Sequence, residues 1–281
     1  MKNQRFYQAI AFAAQLGILV VLGLSPALAQ SPSTSNSTLT PAVISSPHGP
    51  MRLHRRTAEV EGSFTSDNWA GYAITGSTFT YAHGSWHVPE VRCDTTPNFE
   101  AAFWVGIDGF SDDTVEQTGI TSFCHGTTPE YWAWYEFYPA GPVNLTDFPI
   151  APGQVIGASV TYNGDGSFTV GLHNHSTGQE FSQTVVVSGA QRSSVEWITE
   201  APEAAPSGGG LANFHVANYG DDYTGDSGTN YASDGGKAKP IAAFGDNVQE
   251  ITMVSETGVT EAIPSGLTKD GTSFRVWWEA E

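Results

Sequence analysis

The chain has 281 residues, with 29 aspartates and glutamates against 11 lysines and arginines, and a formal net charge of −18 at pH 7. Binding to nucleic acid needs clustered lysines and arginines, so this charge excludes nucleic acid as an expected partner. The excess of carboxyl groups suits a protein that works in acid, where protonation relieves their mutual repulsion.

The first 29 residues are predicted to be a cleaved signal peptide. Lys2 and Arg5 form a cationic start, residues 10–24 are mainly apolar, and Ala27-Leu28-Ala29 supplies the small residues that a signal peptidase recognises. A membrane-spanning helix needs about 20 apolar residues, so a permanent anchor is the less favoured alternative. We therefore expect a secreted protein whose mature form has no membrane segment.

Residues 30–62 are predicted to be a basic pro-segment or linker. They are dense in Ser, Thr and Pro, and such a composition cannot bury enough apolar surface to order itself alone. No Asp or Glu occurs up to Arg56, whereas the rest of the chain carries six cationic residues against all 29 acidic ones, a formal charge of −23. We expect this segment to bind the acidic body electrostatically as its inhibitor. A linker with a few solvated charges is the alternative.

Residues 63–281 are predicted to form one all-β domain. Short runs of strand-forming residues are separated by Gly, Pro, Asn and Asp, and turn sequences at residues 163–166 and 176–178 predict two hairpins. Many short strands at regular spacing indicate a two-sheet antiparallel sandwich or jelly roll. The predicted strands are Trp69–Ile74, Ser85–Val88, Ala101–Ile107, Tyr131–Tyr138, Gln154–Tyr162, Ser167–Asn174, Phe181–Val187, Ser194–Thr199, Phe214–Tyr219, Val248–Val254 and Ser273–Trp278.

The chain contains two cysteines, Cys93 and Cys124. In the oxidising surroundings of a secreted protein, the two are expected to form a disulfide. A pair of unlinked thiols is the alternative, because a sequence does not give the distance between the two Cα atoms.

Two regions carry side chains that bind metal ions in other proteins. Residues 219–239 hold four aspartates among glycines, but they lack the alternating ligand spacing of a calcium loop. His173 and His175 share a strand face, but no third ligand lies near them in the sequence. We interpret the first region as a solvated acidic loop and expect no metal at either place.

The segment 131–138 is predicted to be a strand with two different faces, because residues at alternate positions share a face. One face carries Tyr131, Ala133, Tyr135 and Phe137, and the opposite face carries Trp132, Trp134, Glu136 and Tyr138. The first face suits a core. The second places large rings around a carboxylate, which suits a cleft for an extended polymer, and plain packing in a sandwich is the alternative.

The segment 195–200 places two carboxyl groups on one strand face. Glu196, Ile198 and Glu200 alternate along it, and two neighbouring carboxylates raise the pKa of one of them. Spacing does not say which glutamate acts, and a solvent-exposed strand face that carries glutamates is the alternative. Gln117 is unremarkable by itself, since a single Gln is usually solvated.

Five strings follow one another in a fixed order along the domain. They are Asn68-Trp69-Ala70-Gly71, Trp104-Val105-Gly106-Ile107-Asp108-Gly109, Gln117-Thr118-Gly119, Ala133-Trp134-Tyr135-Glu136-Phe137-Tyr138-Pro139 and Glu196-Trp197-Ile198-Thr199-Glu200. Their order and spacing over residues 68–200 resemble the glutamic peptidases (eqolisins), a family of acid endopeptidases that pairs a Gln with a Glu. The resemblance implies a concanavalin-like jelly roll with a cleft on its concave face.

Carried over by position, the resemblance implies that Gln117 and Glu200 are the catalytic pair. Glu200 is then expected to take a proton from the attacking water and return it to the leaving amine, while Gln117 donates to the oxyanion. The residues implied to line the substrate cleft are Trp69, Trp104, Trp134, Glu136 and Tyr138. Such an enzyme needs no metal or cofactor, acts on polypeptides, and is expected to be a monomer.

Two alternatives from other functional classes stay open on the sequence. A glycan-binding jelly roll explains the aromatic face without any role for Gln117 or Glu200. A glycoside hydrolase uses two carboxyl groups about 5–10 Å apart, and Glu136 with Glu200 is the candidate pair.

Overall fold

Short strands account for most of the regular structure, as the sequence predicts. The computed structural model describes residues 46–53, 63–202 and 210–280. The predicted signal peptide lies outside the described residues, as do residues 30–45 and 54–62 of the predicted pro-segment. All described residues belong to one compact unit, residues 42–281.

Each of the eleven predicted strands has a counterpart, and the described part of the chain forms six further strands. In chain order the strands are β1 (Ser63–Ser66), β2 (Trp69–Ile74), β3 (Tyr81–His87), β4 (Glu100–Ile107), β5 (Val115–His125), β6 (Thr128–Tyr138), β7 (Val143–Asn144), β8 (Val155–Tyr162), β9 (Ser167–Asn174), β10 (Gln179–Val186), β11 (Val195–Glu200), β12 (Val216–Tyr219), β13 (Tyr231–Ser233), β14 (Lys239–Pro240), β15 (Val248–Val254), β16 (Thr260–Pro264) and β17 (Phe274–Trp278). The helices in the described residues are α1 (Asp221–Thr224) and a 3₁₀ helix (Ile241–Asn247). Neither has the length and apolar character needed to span a bilayer.

The strands form two sheets that share one edge. The first sheet has the order β1–β15–β2–β11–β4–β5–β6–β7. The second has the order β16–β17–β12–β3–β8–β9–β10, with β13 and β14 continuing from β3. The pairing of β15 with β16 joins the two sheets. The predicted antiparallel sandwich is confirmed, except that β1 runs parallel to β15.

The main core lies between the two sheets. Alternate residues of the central strands point inward, so that Phe103 and Ile120 of the first sheet belong to the same buried cluster as Val160, Val170 and Leu172 of the second. Full burial of each such side chain contributes about 1.5–3 kcal/mol. Both predicted hairpins are confirmed, because residues 163–166 connect β8 to β9 and residues 175–178 connect β9 to β10.

Strand β5 is absent from the predicted strands although it has 11 residues and carries Gln117. It lies between β4 and β6, and both of its faces are buried along most of its length. The polar run Glu116-Gln117-Thr118 is therefore fully buried and shows none of the apolar-polar alternation that marks a half-buried strand.

A disulfide joins Cys93 to Cys124, with the two Cα atoms 5.2 Å apart. That separation lies within the range of strain-free bridges, and the prediction of a disulfide is confirmed. The bridge fastens the segment that follows β3 to the far end of β5 and so holds the strand that carries Gln117.

Replacing both Cys93 and Cys124 by Ser is expected to lower the free energy of unfolding by about 3 kcal/mol, because the open chain gains loop entropy when it unfolds. Urea denaturation of the variant and of the wild type measures the difference. Wild-type protein reduced before the experiment should behave as the variant does, and an unchanged unfolding midpoint in both samples would contradict the prediction.

Candidate functional site

The register of the first sheet brings the predicted site residues onto one face. Directly paired residues of antiparallel strands point to the same side of a sheet. One transverse row therefore contains Glu196, Gly106, Gln117 and Glu136. The next row contains Ile198, Trp104, Gly119 and Trp134, and the third contains Glu200, Ala102, Thr121 and Trp132. Gln117 and Glu200 share a face that points away from the main core.

Tryptophans form the floor of this face. Trp69, Trp104 and Trp134 are fully buried and belong to a second apolar cluster, separate from the main core. Trp69 meets Trp104 edge to face, with ring centroids 5.0 Å apart. Such a pairing adds about 0.5–1.5 kcal/mol beyond the apolar area that it buries.

Two glycines leave room for Trp104. A Cβ atom on Gly106 would lie 2.9 Å from Cζ3 of Trp104, and one on Gly119 would lie 2.5 Å from its Cβ and 2.2 Å from the carbonyl oxygen of Phe103. A side chain at either position would therefore displace the indole or the neighbouring strand. This close approach explains why glycine occupies positions 106 and 119 of the quoted strings.

Glu200 is held by neutral donors. Its Oε2 accepts a hydrogen bond from Nε1 of Trp104 at 2.8 Å, and its Oε1 lies 3.5 Å from Nδ2 of Asn68. Asn68 is itself fixed by the hydroxyl of Ser66, which donates to its Oδ1 at 3.0 Å. The carboxyl group is fully buried, and these partners orient both of its oxygens.

Gln117 and Glu136 lie side by side on β5 and β6. Nε2 of Gln117 is 3.4 Å from Oε2 of Glu136, and both side chains are fully buried. Burial raises the pKa of Glu136 to about 9, with a further contribution from the charge of Glu200. Glu136 is therefore a neutral acid at acid and neutral pH, whose carboxyl oxygen still accepts a hydrogen bond.

Residues 46–53, which are part of the predicted pro-segment, lie across this face. Nε2 of Gln117 donates to the carbonyl oxygen of His48 at 2.5 Å, and the backbone N–H of His48 donates to Oε2 of Glu136 at 2.9 Å. The imidazole stacks on Trp134, with centroids 3.8 Å apart and planes 9° from parallel. Its Nδ1 lies 3.4 Å from Oε2 of Glu200.

The remainder of this segment is fastened to the edge of the cleft through its main chain. Nδ2 of Asn68 donates to the carbonyl of Pro50 at 3.2 Å, and Oδ1 of Asn68 accepts the N–H of Arg52 at 2.8 Å. The N–H of Met51 donates to the carbonyl of Gly109 at 2.9 Å. An isolated antiparallel bridge between Leu53 and Ser66 completes these contacts, so segment 46–53 is held by main-chain hydrogen bonds without forming a strand of the sheet.

A second group of buried carboxyl groups lies beside the cleft, around the loop after β4. Asp108 has a positive φ of 73° and accepts the backbone N–H groups of residues 191, 192 and 193 at 2.9, 2.7 and 2.6 Å. Burial, together with the charge of Asp108, raises the pKa of Glu116 to about 9. Burial also raises the pKa of Glu196 well above its ordinary value. Both glutamates are therefore protonated in the folded protein over most of the acid range.

All seven site residues named from the sequence lie on this face. Tyr138 is at its edge against Gly49, and the other six are fully buried on it. Sequence reasoning missed two residues, His48 and Asn68. Asn68 directly precedes Trp69 in the first quoted string, and this position was a signal that it lies beside the site. No local signal in residues 46–53 indicates where the segment docks, because the contacts of His48 join residues 69 to 152 positions away.

The two alternative metal regions gain no support. The rings of His173 and His175 are 4.1 Å apart, and Nε2 of His175 lies 3.3 Å from Oδ2 of Asp226. Among the described residues, no group of three or more His, Cys, Asp or Glu side chains is arranged to hold a metal ion.

Comparison with known proteins relates this chain to one family of peptidases. The model of the Peptidase A4 family matches residues 67–263. Aspergillopepsin-2 of Aspergillus niger is 31% identical over 173 residues, which cover 53% of this chain and 61% of that protein. Scytalidopepsin B of Scytalidium lignicola is 32% identical over 163 residues, which cover 57% of this chain and 61% of that protein. The chain thus spans less than two thirds of the length of these relatives.

A solved structure supports the fold. Scytalido-glutamic peptidase, crystallised with a transition-state analogue inhibitor, superimposes with a TM-score of 0.62 at 24% identity. The alignment covers 76% of this chain and 98% of that one. The arrangement of strands described above is therefore shared with that protein.

The stability of the fold is expected to fall as pH rises. Burial raises the pKa of Glu116 to about 9 in the folded state and also raises the pKa of Glu196. Through Glu116 the folded protein therefore binds more protons than the unfolded chain between about pH 4.5 and pH 9, and Glu196 acts in the same direction. The free energy of unfolding should therefore drop by at least about 2 kcal/mol from pH 5 to pH 8. Urea denaturation across that range measures the slope.

The variant Glu116→Gln should flatten this dependence, because the amide keeps the shape of the acid without its proton. Glu180→Gln, at an exposed position of β10, is the matched control and should leave the slope unchanged. A wild-type protein that becomes more stable between pH 5 and pH 8 would refute the assignment.

Proposed function

This chain belongs to the Peptidase A4 family, and from that membership we propose that it is a secreted acid endopeptidase that hydrolyses polypeptides with Gln117 and Glu200. The observation that carries the proposal is a main-chain carbonyl group already bound to the Gln117 amide, with Glu200 on the same face. Family membership favours this activity over the glycan-binding and glycoside hydrolase alternatives.

The first step is attack by water on the scissile carbonyl. Glu200, ionised at the start, takes one proton from the water as its oxygen bonds to the carbonyl carbon. The oxyanion that forms takes the place where the carbonyl oxygen of His48 now lies. There it accepts a hydrogen bond from Nε2 of Gln117. One donor of this kind lowers the barrier by about 3–4 kcal/mol.

The second step breaks the peptide bond. Glu200, now carrying the proton, donates it to the nitrogen of the leaving amine as the C–N bond breaks, and its carboxylate is restored. Trp104 and Asn68 hold the carboxylate in one orientation through both steps. Glu136 accepts a backbone N–H of the bound peptide, as it does from His48, and so fixes the register of the substrate.

The net charge of the chain supports the proposal that the protein works in acid. A chain with a net charge of −18 repels itself least in acid, and the raised pKa values of Glu116 and Glu136 keep those buried groups neutral there. The predicted signal peptide leads outside the cell, where the Cys93–Cys124 disulfide is stable.

The chain also provides its own inhibitor. Segment 46–53 covers the face that carries Gln117, Trp134, Glu136 and Glu200, and His48 lies against all four of these fully buried side chains. A substrate peptide cannot occupy the same place. The protein is therefore secreted as an inactive precursor that becomes active when this segment leaves.

Activity on denatured casein in acid is the first expectation, in the presence of a metal chelator and an inhibitor of aspartic proteases. Gln117→Ala should lower kcat about 10²–10³-fold by removing the oxyanion donor. Glu200→Gln should lower it at least about 10²-fold by removing the base. Release of acid-soluble peptides measures the rates.

Glu196→Gln is the matched control, because Glu196 lies on the same face of the same strand but belongs to the buried carboxyl group beside Asp108. It should retain casein cleavage within about threefold of the wild type, far from the loss expected for removal of a general base. Equal losses in Glu196→Gln and Glu200→Gln, or no cleavage by folded and matured wild type, would overturn the proposal.

Trp104→Phe is expected to lower kcat more than it raises KM, because the indole N–H positions Glu200 and not the substrate. Trp69→Phe removes an equivalent indole N–H that has no hydrogen-bond partner among the described residues. It should therefore have the smaller effect on kcat. Steady-state kinetics on one peptide substrate compares the two variants, and an equal fall in kcat would exclude the positioning role of Trp104.

A further inference from the structure

Segment 46–53 occupies the cleft in the manner of a substrate. Its main chain gives the carbonyl of His48 to the Gln117 amide and the N–H of the same residue to Glu136. The side chain of His48 lies flat on Trp134. These are the three contacts that place one peptide bond, between His48 and Gly49, at the proposed oxyanion donor.

In this arrangement the side chain of His48 lies against the proposed base, Glu200. Nδ1 of His48 lies 3.4 Å from Oε2 of Glu200, and both side chains are fully buried. Neither ring nitrogen of His48 has a hydrogen-bond partner within the described residues, and Nδ1 lies against this carboxyl group. An attacking water has to lie beside the same carboxyl oxygens, between Glu200 and the carbonyl carbon.

We propose that segment 46–53 is a pseudosubstrate, and that the imidazole of His48 prevents hydrolysis of the His48–Gly49 bond by holding Glu200. The proposal rests on the proposed function, because it assigns Glu200 as the base and Gln117 as the oxyanion donor. The segment binds as a substrate does, and one side chain makes it an inhibitor. His48 is thus the residue that decides whether the bound peptide is cut.

The blocked reaction has a definite balance. With Glu200 free, the oxygen of water would bond to the carbonyl carbon of His48 and one of its protons would pass to Glu200. The bond to the nitrogen of Gly49 would then break, and Glu200 would return that proton to the nitrogen. The products are a carboxylate at residue 48 and a new amino terminus at residue 49, and no further reactant is needed.

Other contacts fix the segment without touching the base. Asn68 holds the carbonyl of Pro50, and Gly109 accepts the N–H of Met51. The side chain of Met51 packs against the second apolar cluster, which includes Trp69 and Trp104. Weakening this packing should loosen the segment, whereas changing His48 should free the base while the main-chain contacts persist. These two effects can be separated by experiment.

The test uses the full chain, purified as the precursor and moved to acid. His48→Phe keeps an aromatic ring on Trp134 but has no ring nitrogen to face Glu200. This variant should form chains that begin at Gly49 at least about tenfold faster than the wild type, because general-base catalysis is restored. Intact mass and amino-terminal sequencing identify the cut, and casein cleavage is measured on the same samples.

Two further variants serve as controls for this experiment. His48→Phe combined with Glu200→Gln should show no cut at residue 49, which assigns the cleavage to the site itself. Met51→Ala should raise casein cleavage by loosening the segment without producing chains that begin at Gly49. Thermal melting of each precursor confirms that it is folded.

The outcomes separate this inference from the proposed function. If casein is cleaved but His48→Phe yields no more Gly49 ends than the wild type, the pseudosubstrate assignment is overturned and the peptidase stands. If the wild type cuts its own His48–Gly49 bond as fast as His48→Phe does, His48 is an ordinary substrate residue and the assignment fails. If no variant and no matured wild type cleaves casein, both proposals fall.

Discussion

The hydrogen bond from Trp104 to Glu200 is the interaction on which the site depends. A carboxyl group that is fully buried needs partners for its oxygens, and a cation would hold it too tightly to act as a base. A neutral indole N–H solves this problem, but it requires the ring to lie flat across the sheet. Gly106 and Gly119 give the ring that space, and Trp69 supports it from the side.

Three further glutamates in the same region are also fully buried. Glu116, Glu136 and Glu196 are buried where their charged forms are costly, so each has a raised pKa and stays protonated in acid. Protonated, they carry no negative charge that would repel Glu200. As pH rises they must ionise or unfold, which ties the fold to acid surroundings. The features that suit the site to acid thus limit its stability at neutral pH.

The sequence predicted the fold class, eleven strands, two hairpins, the disulfide and the set of residues on the cleft face. The strands and hairpins follow from local alternation and turn residues, and the disulfide follows from two cysteines in a protein expected to be secreted. The cleft residues follow from the resemblance of the five strings to the glutamic peptidases. It missed β5, because a strand buried on both faces carries no alternation, and Glu116 to Thr118 look like a polar loop. It predicted that the basic pro-segment binds the acidic body, but it missed that His48 enters the cleft and that Asn68 supports Glu200, a contact between residues 132 positions apart. These contacts join residues that are far apart in the sequence and meet only in the folded protein, so no local pattern predicts them.

The central claim is that Glu200 activates a water molecule and does not itself attack the peptide. Hydrolysis of a peptide in water labelled with heavy oxygen, followed by mass spectrometry of the product and of the peptide containing Glu200, tests it most directly. The account predicts one labelled oxygen in the new product carboxylate and an unlabelled Glu200 side chain after many turnovers. Label in the Glu200 carboxyl group, or an acyl adduct trapped on it by rapid quenching, would contradict the account.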